Sequence, residues 1–289
     1  MKRFGDRRDG TRVRNMNGMN YIMYHLKKRR SESEVYINYA MDVTKLVKYM
    51  EKINKDDERH ITYFHVFATA LAKLVYNRPY LNRFIVNGHF YDRNEVTVSY
   101  LAKTKFDDDS EELMQVLKIN EDDTLFTISD RLSNTVKKTR ESKSSGTDDF
   151  VATIGNMPKP IRGFIVGIFK LLDRYDLVPK SMTKDILYYS SVLMSNIGSI
   201  GSKEAIYHNL TDFGTNSAIV TMGKIYKKEI INDKGKKEIK DFCDFGVTLD
   251  ERIADGFYMI KSVQLLEYIL NNPKLLEGEC NDKLEIKGE

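Results

Sequence analysis

Two short polar segments carry the residues whose types and spacing could do chemistry. The first is residues 250–256, Asp-Glu-Arg-Ile-Ala-Asp-Gly, which leads directly into an apolar stretch that begins at Phe257. The second is residues 195–201, Ser-Asn-Ile-Gly-Ser-Ile-Gly, which has the composition of a tight turn. A carboxylate of the first segment can act as a general base, and a hydroxyl of the second can donate a hydrogen bond. These two segments are therefore the candidate site.

Other catalytic patterns are absent from the sequence. Gly198 and Gly201 are not followed by Lys-Ser or Lys-Thr, so this turn is not a phosphate-binding P-loop. There is no Gly-x-Ser-x-Gly elbow of the kind that presents a nucleophilic serine. The two cysteines, Cys243 and Cys280, are too few and too isolated for a metal site or a disulfide framework. We therefore expect no metal and no bound cofactor.

Together the two segments resemble the signature pair of the chloramphenicol acetyltransferase and dihydrolipoyl acyltransferase superfamily. In that superfamily a strand ends in Asp-His-Arg-x-x-x-Asp-Gly, a helix follows, and a Ser-Asn-x-Gly-like turn lies upstream. Glu251 stands where the pattern has its catalytic histidine. The residues that match the two patterns are Asp250, Arg252, Asp255, Gly256, Ser195, Asn196 and Gly198.

The resemblance implies roles for these residues. In the superfamily, the histidine removes a proton from a thiol or hydroxyl, which then takes an acyl group from a thioester. The turn serine donates a hydrogen bond to the oxyanion that develops. Glu251 is then the base, Ser195 the oxyanion donor, and an acyl-coenzyme A the implied co-substrate. The resemblance also implies that Asp255 pairs with an N-terminal arginine, although residues 19–24 contain none.

Glu251 is a feasible but weak base. An unperturbed Glu has a pKa of about 4.3, whereas that of an unperturbed His is about 6.5. Deprotonation of a thiol by the carboxylate is therefore about 3 kcal/mol less favourable than deprotonation by the imidazole. Burial can raise the pKa of a Glu to roughly 6–7 and restore most of this difference. The opposite outcome is an inactive site in which Glu251 is paired with a neighbouring Arg or Lys. Two functions stay open: an acyltransferase, and a catalytically inactive member of the fold that acts as a binding or scaffolding module.

Two further residue assignments have simpler alternatives. His208 follows the Ser195 turn closely enough to serve as a substitute base, whereas most histidines are ordinary core or surface residues. The Ser195 hydroxyl, in turn, is either the oxyanion donor or a turn residue that bonds its own backbone.

Alternating helix and strand periods predict an α/β fold. Residues 34–40 alternate like a strand, and Asp42 is a candidate N-cap for the helix that follows. Residues 62–77 predict a more apolar helix, and Asn-Gly at 87–88 predicts a hairpin. The resemblance adds the arrangement, a two-layer sandwich in which a mixed β-sheet is covered by helices. Further features are an acidic turn at 107–109, a Ser-rich break at 143–149, strands at 187–194, 217–227 and 237–249, and a helix after Gly256 with Phe257 and Ile260 on its inner face.

We divide the chain into a basic N-terminal arm (residues 1–33), an acyltransferase-like domain (34–276) and a polar, loose tail (277–289). Residues 1–30 carry ten basic residues against two acidic ones, and we interpret them as a solvated arm. An insertion at about 150–186 predicts an amphipathic helix packed on the body, with a helix that lies on lipid as the alternative.

Composition limits the possible partners. The chain has 289 residues, of which 41% are hydrophobic and 30% charged, as in ordinary globular proteins. A net charge of +4 does not indicate a polyanion binder, and no apolar run approaches the roughly 20 residues of a membrane span. We expect a cytoplasmic protein with small-molecule acyl donor and acceptor and no stable nucleic-acid or membrane partner. The resemblance implies a homotrimer with active sites between subunits.

Overall fold

The computed structural model describes residues 3–56, 59–103, 112–141 and 152–285. The turn predicted at 107–109 and the break at 143–149 lie outside these ranges, as do residues 150–151 of the predicted insertion. The strands are β1 (Gly10–Arg12), β2 (Glu34–Asp42), β3 (Arg83–Val86), β4 (His89–Arg93), β5 (Val96–Lys103), β6 (Glu112–Ile119), β7 (Val192–Asn196), β8 (Ala218–Met222), β9 (Tyr226–Ile231) and β10 (Lys237–Asp250). The helices are α1 (Gly18–Leu26), α2 (Thr44–Asp56), α3 (Tyr63–Asn77), α4 (Leu125–Glu141), α5 (Lys159–Arg174), α6 (Lys180–Thr183) and α7 (Gly256–Asn271).

The main sheet has the strand order β2-β10-β8-β7-β5-β6, and β9 pairs with the first half of β10. Strand β7 is parallel to both of its neighbours, whereas the other pairings are antiparallel. A small sheet, β1-β4-β3, lies beside it. The predicted hairpin joins β3 and β4, with Asn87 and Gly88 both at positive φ. The predicted fold class, a mixed sheet covered by helices, is confirmed.

Helix α3 is the buried helix of the core. The Thr62 side chain caps it by accepting the N–H of His65, and the chain turns away at Pro79. The helix packs against β5, α4 and α7, and its residues from 65 to 75 are buried. Its apolar side chains thus join the sheet to the helical layer, where their burial contributes most of the stability.

The residues after 276 are attached to this core, so the prediction of a loose tail is wrong for 277–285. The Lys73 ammonium, 1% exposed on α3, donates to the Glu279 carbonyl and lies 3.4 Å from a carboxylate oxygen of Asp282. Cys280 is fully buried, and its N–H donates to the Asp123 carbonyl. A buried ammonium needs such acceptors, and the tail supplies them.

The interpretation of residues 1–33 as a solvated arm does not hold for Arg7 and strand β1, whereas helix α1 has no buried residue. Strand β1 pairs with β4, and the Arg7 side chain is only 5% exposed. Its guanidinium forms ion pairs with Asp9 and with Asp173 of α5, each at 2.9 Å. Three basic residues of this segment, Arg7, Arg8 and Lys27, thus pair with carboxylates of the body.

The predicted insertion does contain a helix, α5, but the helix does not pack its apolar stripe on the body. None of its residues is buried. It contacts the rest of the chain along one edge, where Phe169 lies against Phe213 and Asp173 pairs with Arg7. Its exposed apolar side chains are Ile161, Phe164, Val166, Ile168, Leu171 and Leu172. No helix in the described part of the chain is long and apolar enough to span a membrane.

Three smaller differences concern element ends. Of the strand predicted at 187–194, only the part from Val192 is extended, because residues 187–189 form a 3-10 turn. The Tyr188 carbonyl in this turn accepts the N–H groups of Thr215 and Asn216. The strand predicted at 217–227 is interrupted after Met222, and β9 begins at residue 226. The predicted inner face of α7 is wrong at its first turn, because Phe257 is 74% and Ile260 47% exposed.

We expect Leu71→Ala in α3 to lower the free energy of unfolding by about 2–5 kcal/mol, since the side chain is 2% exposed and its removal leaves a cavity. Urea unfolding followed by circular dichroism measures this change. Leu101→Ala on β5, where the side chain is 51% exposed, is the matched control and should shift stability by less than about 0.5 kcal/mol. Equal losses in the two variants would contradict the placement of the core.

Candidate active site

The C-terminal end of β10 places the first polar segment. Asp250 is the last residue of this strand and lies opposite Glu34 of β2. Its N–H donates to the Ser217 carbonyl, and the N–H of Glu251 donates to the Ser33 carbonyl at 2.9 Å. The strand end is therefore held on both sides before the loop begins.

Asp250 and Arg252 form a buried ion pair. The guanidinium donates to both carboxylate oxygens, at 2.8 and 2.7 Å, and the two side chains are 0% and 2% exposed. The Ser33 hydroxyl donates to the same carboxylate at 3.0 Å. Arg252 also donates to the carbonyls of Lys27 and Lys28, at 2.8 and 2.9 Å. Matching every polar group in this way is what makes a buried pair tolerable.

Glu251 lies between these two residues in sequence but points outward. Its side chain is 27% exposed, and its carboxylate forms an ion pair with the Lys27 ammonium, which is 40% exposed. Lys27 is the C-cap residue of α1. The carboxylate is thus accessible and already has a cationic partner within the same chain.

Asp255 and Gly256 begin helix α7. The Asp255 carboxylate accepts the N–H of Tyr258 at 2.7 Å, which is an N-cap contact. Both residues are exposed. A Cβ at Gly256 would meet no atom within 4 Å, so the fold of the single chain does not require a glycine there.

The second polar segment lies at the end of β7. Ser195 is partly exposed on the strand, opposite Thr221 of β8, and among the described residues its hydroxyl has no hydrogen-bond partner. The Asn196 carbonyl accepts the Ser199 hydroxyl at 2.7 Å in the 3-10 turn that follows. A Cβ at Gly198 would lie 2.4 Å from the backbone of Gly223, so only glycine fits this approach. The turn is therefore closely packed against the end of β8.

The sheet register places Ser195 and Glu251 at opposite ends of the sheet. Ser195 lies opposite Thr221, and Thr221 lies opposite Gly246 of β10. Glu251 is five residues beyond Gly246, away from the Ser195 turn, which corresponds to roughly 16 Å along a strand. Within one chain, the proposed base and the proposed oxyanion donor are not brought together.

His208 lies at the Glu251 end. Its loop is attached to β2, since the Glu34 carboxylate accepts the N–H of Leu210 at 2.8 Å and the Tyr207 hydroxyl. The imidazole is exposed, and its Nδ1 contacts the Asn209 carbonyl at 3.1 Å. As a substitute base, His208 remains a prediction.

Sequence reasoning missed the contribution of the N-terminal segment. Lys27 pairs with Glu251, Ser33 bonds Asp250, and Arg30 is 5% exposed in the same region. The available signal was the run of four basic residues at 27–30, which lies only three residues before the predicted strand at 34–40.

Thiol and metal chemistry have no support at this site. Burial raises the pKa of Cys243 and Cys280 to about 12, so both thiols stay protonated. Residues 3–56, 59–103, 112–141 and 152–285 hold no group of three or more side chains that could bind a metal ion. The reactive groups that the site presents are a carboxylate and a hydroxyl.

Residues 180–277, which include both polar segments, match the model of the 2-oxoacid dehydrogenases acyltransferase catalytic domain. The resemblance to the acyltransferase superfamily is confirmed. The chain is also 20% identical over 252 residues to the lipoamide acyltransferase component of the branched-chain alpha-keto acid dehydrogenase complex of Bacillus subtilis (strain 168). That match covers 83% of this chain and 49% of the relative, so the chain spans about half of the relative's length.

Two solved structures share the acyltransferase-like fold. A probable dihydrolipoamide acetyltransferase from Listeria monocytogenes 4b F2365 is 18% identical, with a TM-score of 0.59 over 91% of this chain and 95% of that one. A chloramphenicol acetyltransferase is 11% identical, with a TM-score of 0.58 over 90% and 99%. Both cover residues well outside 180–277, so the likeness extends over nearly the whole chain.

We expect Asp250→Asn to lower the free energy of unfolding by about 3–5 kcal/mol, because it leaves the Arg252 guanidinium buried without its counter-charge. Chemical unfolding measures the loss. Asp185→Asn is the matched control, since Asp185 is 48% exposed and lies 3.9 Å from its cationic neighbour, and it should change stability by less than about 1 kcal/mol. A mild effect of Asp250→Asn would show that the pair does not constrain the loop.

Proposed function

We propose that the protein is an acyltransferase that moves an acyl group from a coenzyme A thioester to a thiol or hydroxyl acceptor. The observation that carries this proposal is the position of Glu251. An accessible carboxylate lies between the two residues of the buried Asp250–Arg252 pair at the end of β10, in the segment that matches the acyltransferase catalytic domain. The rigid strand end supports an orientation suited to proton transfer.

In the proposed reaction, the Glu251 carboxylate takes the proton from the acceptor thiol or hydroxyl. The acceptor sulfur or oxygen then attacks the thioester carbonyl, and the Ser195 hydroxyl donates a hydrogen bond to the oxyanion that forms. Collapse of this intermediate breaks the carbon–sulfur bond. The coenzyme A thiolate leaves and takes the proton back from Glu251. A positioned oxyanion donor contributes about 10²–10³-fold in rate.

The separation of Ser195 from Glu251 supports a homotrimer in which each site is shared between neighbours. A strand-paired sheet cannot shift one residue by roughly 16 Å toward the other, so a second subunit has to supply the missing half. Apolar side chains are exposed beside each half: Ile200, 70% exposed, in the Ser195 turn, and Phe257, 74% exposed, after the Glu251 loop. Exposed apolar groups at these places are suited to contact between subunits.

A second candidate function is favoured by the ion pair between Glu251 and Lys27. A carboxylate with a cationic partner in its own chain has to release or share that partner before it accepts a proton. In this alternative the fold acts as a binding or scaffolding module without turnover.

We expect Glu251→Gln to slow the release of coenzyme A from an acyl-CoA in the presence of a thiol acceptor by about 10²–10⁴-fold, the usual contribution of a general base. Detection of free coenzyme A over a panel of acyl-CoAs and acceptors measures the rate. Glu229→Gln, which removes a carboxylate that is also paired with a lysine, is the matched control and should keep the parent rate.

An unchanged rate in Glu251→Gln would show that another group, with His208 the first to test, is the base. Glu251→His separates the two functions. Turnover that appears only in Glu251→His would support the inactive module, whereas turnover in the parent chain excludes that alternative.

Light scattering on the purified chain should give the mass of a trimer, and mixed trimers should restore activity. Ser195→Ala and Glu251→Gln are each expected to be nearly inactive. If a site takes its serine from one subunit and its glutamate from the next, random mixing of the two variants rebuilds about a quarter of the sites. Separately purified variants that are combined without subunit exchange serve as the control.

A strictly monomeric chain with no turnover would remove the acyltransferase proposal. If the parent trimer is active but the mixed variants regain no activity, Ser195 and Glu251 act in one site within a single chain. That result would contradict the separation of the two residues that follows from the sheet register.

A further inference from the structure

A cavity of about 460 Å³ lies beside the Glu251 loop. Four parts of the chain form its walls: the segment after α1, the tip of the β3–β4 hairpin, one side of α5 and the loop at 212–214. Arg252 forms part of its lining, which connects it to the buried ion pair. Three of its walls, α5, the segment after α1 and the hairpin tip, lie outside the residues that match the acyltransferase catalytic domain.

The cavity is strongly basic. Its lining includes six basic side chains and two acidic ones, Asp173 and Asp212. Both acidic groups already have partners, since Asp173 pairs with Arg7 and Asp212 accepts the backbone N–H of Arg30 and the Ser31 hydroxyl. The basic residues of the lining are Lys28, Arg29, Arg30, Lys170, Arg174 and Arg252.

Most of these cations are not neutralised by the protein. Arg252 is neutralised by its ion pair with Asp250. Arg29 has one distant partner, Glu32, at 3.9 Å. Within the described part of the chain, Lys28, Lys170 and Arg174 form no ion pair with a carboxylate. Their combined field favours an anion in the cavity.

Arg30 adds a buried cation without a carboxylate partner. Its side chain is 5% exposed, and its guanidinium donates to the carbonyls of Thr211 and Gly214, at 2.6 and 3.0 Å. Its Nε is buried and has no hydrogen-bond partner among the described residues. Burial lowers the pKa of this guanidinium, which reflects the unfavourable burial of its charge. An anion in the adjoining cavity would offset that cost.

We infer that this cavity binds a phosphate-bearing ligand. A phosphate group carries up to two negative charges and three acceptor oxygens, which matches several converging lysine and arginine donors better than a single carboxylate does. Ile85, Leu171 and Phe213 line the same cavity and provide apolar contacts for the rest of the ligand. The inference rests on the charge and shape of the cavity. Coenzyme A, the donor in the proposed acyl transfer, carries phosphate groups and is one soluble ligand of this class.

Such a phosphate can belong to a soluble ester or to a lipid headgroup. The outer face of α5 exposes Ile161, Phe164 and Leu172 next to the basic wall, a combination that also occurs in helices at membrane surfaces. The experiment therefore has one arm for each source.

The soluble arm is calorimetric titration of the full chain with inorganic phosphate. The double variant Lys170→Gln/Arg174→Gln should bind at least about tenfold more weakly, because it removes two charge-assisted donors from the cavity wall. The matched control, Lys159→Gln/Arg162→Gln, removes the same charges from exposed positions on the same helix outside the lining. It should weaken binding by less than about twofold, because these two side chains lie outside the cavity lining and supply no donor to the ligand.

The lipid arm is flotation with phosphatidylcholine vesicles, with and without phosphatidic acid. A lipid headgroup is identified as the source if the chain floats only with vesicles that contain phosphatidic acid. This flotation should be lost in Lys170→Gln/Arg174→Gln and kept in the control variant. Phosphate binding with the same variant dependence but no flotation would identify a soluble ligand.

Absence of both phosphate binding and flotation in the parent chain would overturn the inference. Equal weakening in the two double variants would overturn it as well, because it would show a general charge effect rather than a site. Acyl transfer is measured separately, by the release of coenzyme A in Glu251→Gln, so the two proposals can fail independently.

Discussion

The buried pair between Asp250 and Arg252 is the constraint on which the candidate site depends. Two charges can stay in the interior only when nearly all their donors and acceptors are matched. Here the match requires Ser33 on one side and the carbonyls of Lys27 and Lys28 on the other. The end of β10, the loop after it and the N-terminal segment therefore form one unit. Glu251, in the middle of this unit, is the residue left at the surface.

The sheet imposes the second constraint. A one-residue slip of β10 would move every side chain of its fully buried second half to the opposite face of the sheet, so the register that separates Ser195 from Glu251 is firmly set. Each chain thus holds both polar segments on a rigid backbone: one is fixed by the ion pair, the other by the close approach of Gly198 to Gly223. Chemistry that needs both groups has to be arranged by association, because internal motion on this scale would break the core.

Local signals in the sequence predicted local structure well. The helix over residues 62–77 and the Asn87-Gly88 turn are each decided by a few neighbouring residues. The contacts around Glu251 are of another kind, since Ser33 and Asp250 are 217 residues apart. A run of basic residues has the same appearance whether it is solvated or paired, and only the fold decides which. For the same reason, the amphipathic pattern of α5 predicted a helix but not the surface that its apolar face would meet.

The contact of Arg252 with the carbonyls of Lys27 and Lys28 has a consequence for how the chain folds. In sequence, Arg252 is 225 residues from Lys27 and 224 residues from Lys28, which is a large separation for a contact in a chain of 289 residues. During synthesis the N-terminal segment leaves the ribosome long before its acceptor loop exists, and non-local contacts of this kind form late. Residues 27–33 must therefore wait, with four basic side chains uncovered, until β10 has been made. The contacts around Glu251 can accordingly assemble only after residue 252 has been made, although their N-terminal half is synthesised more than 200 residues earlier.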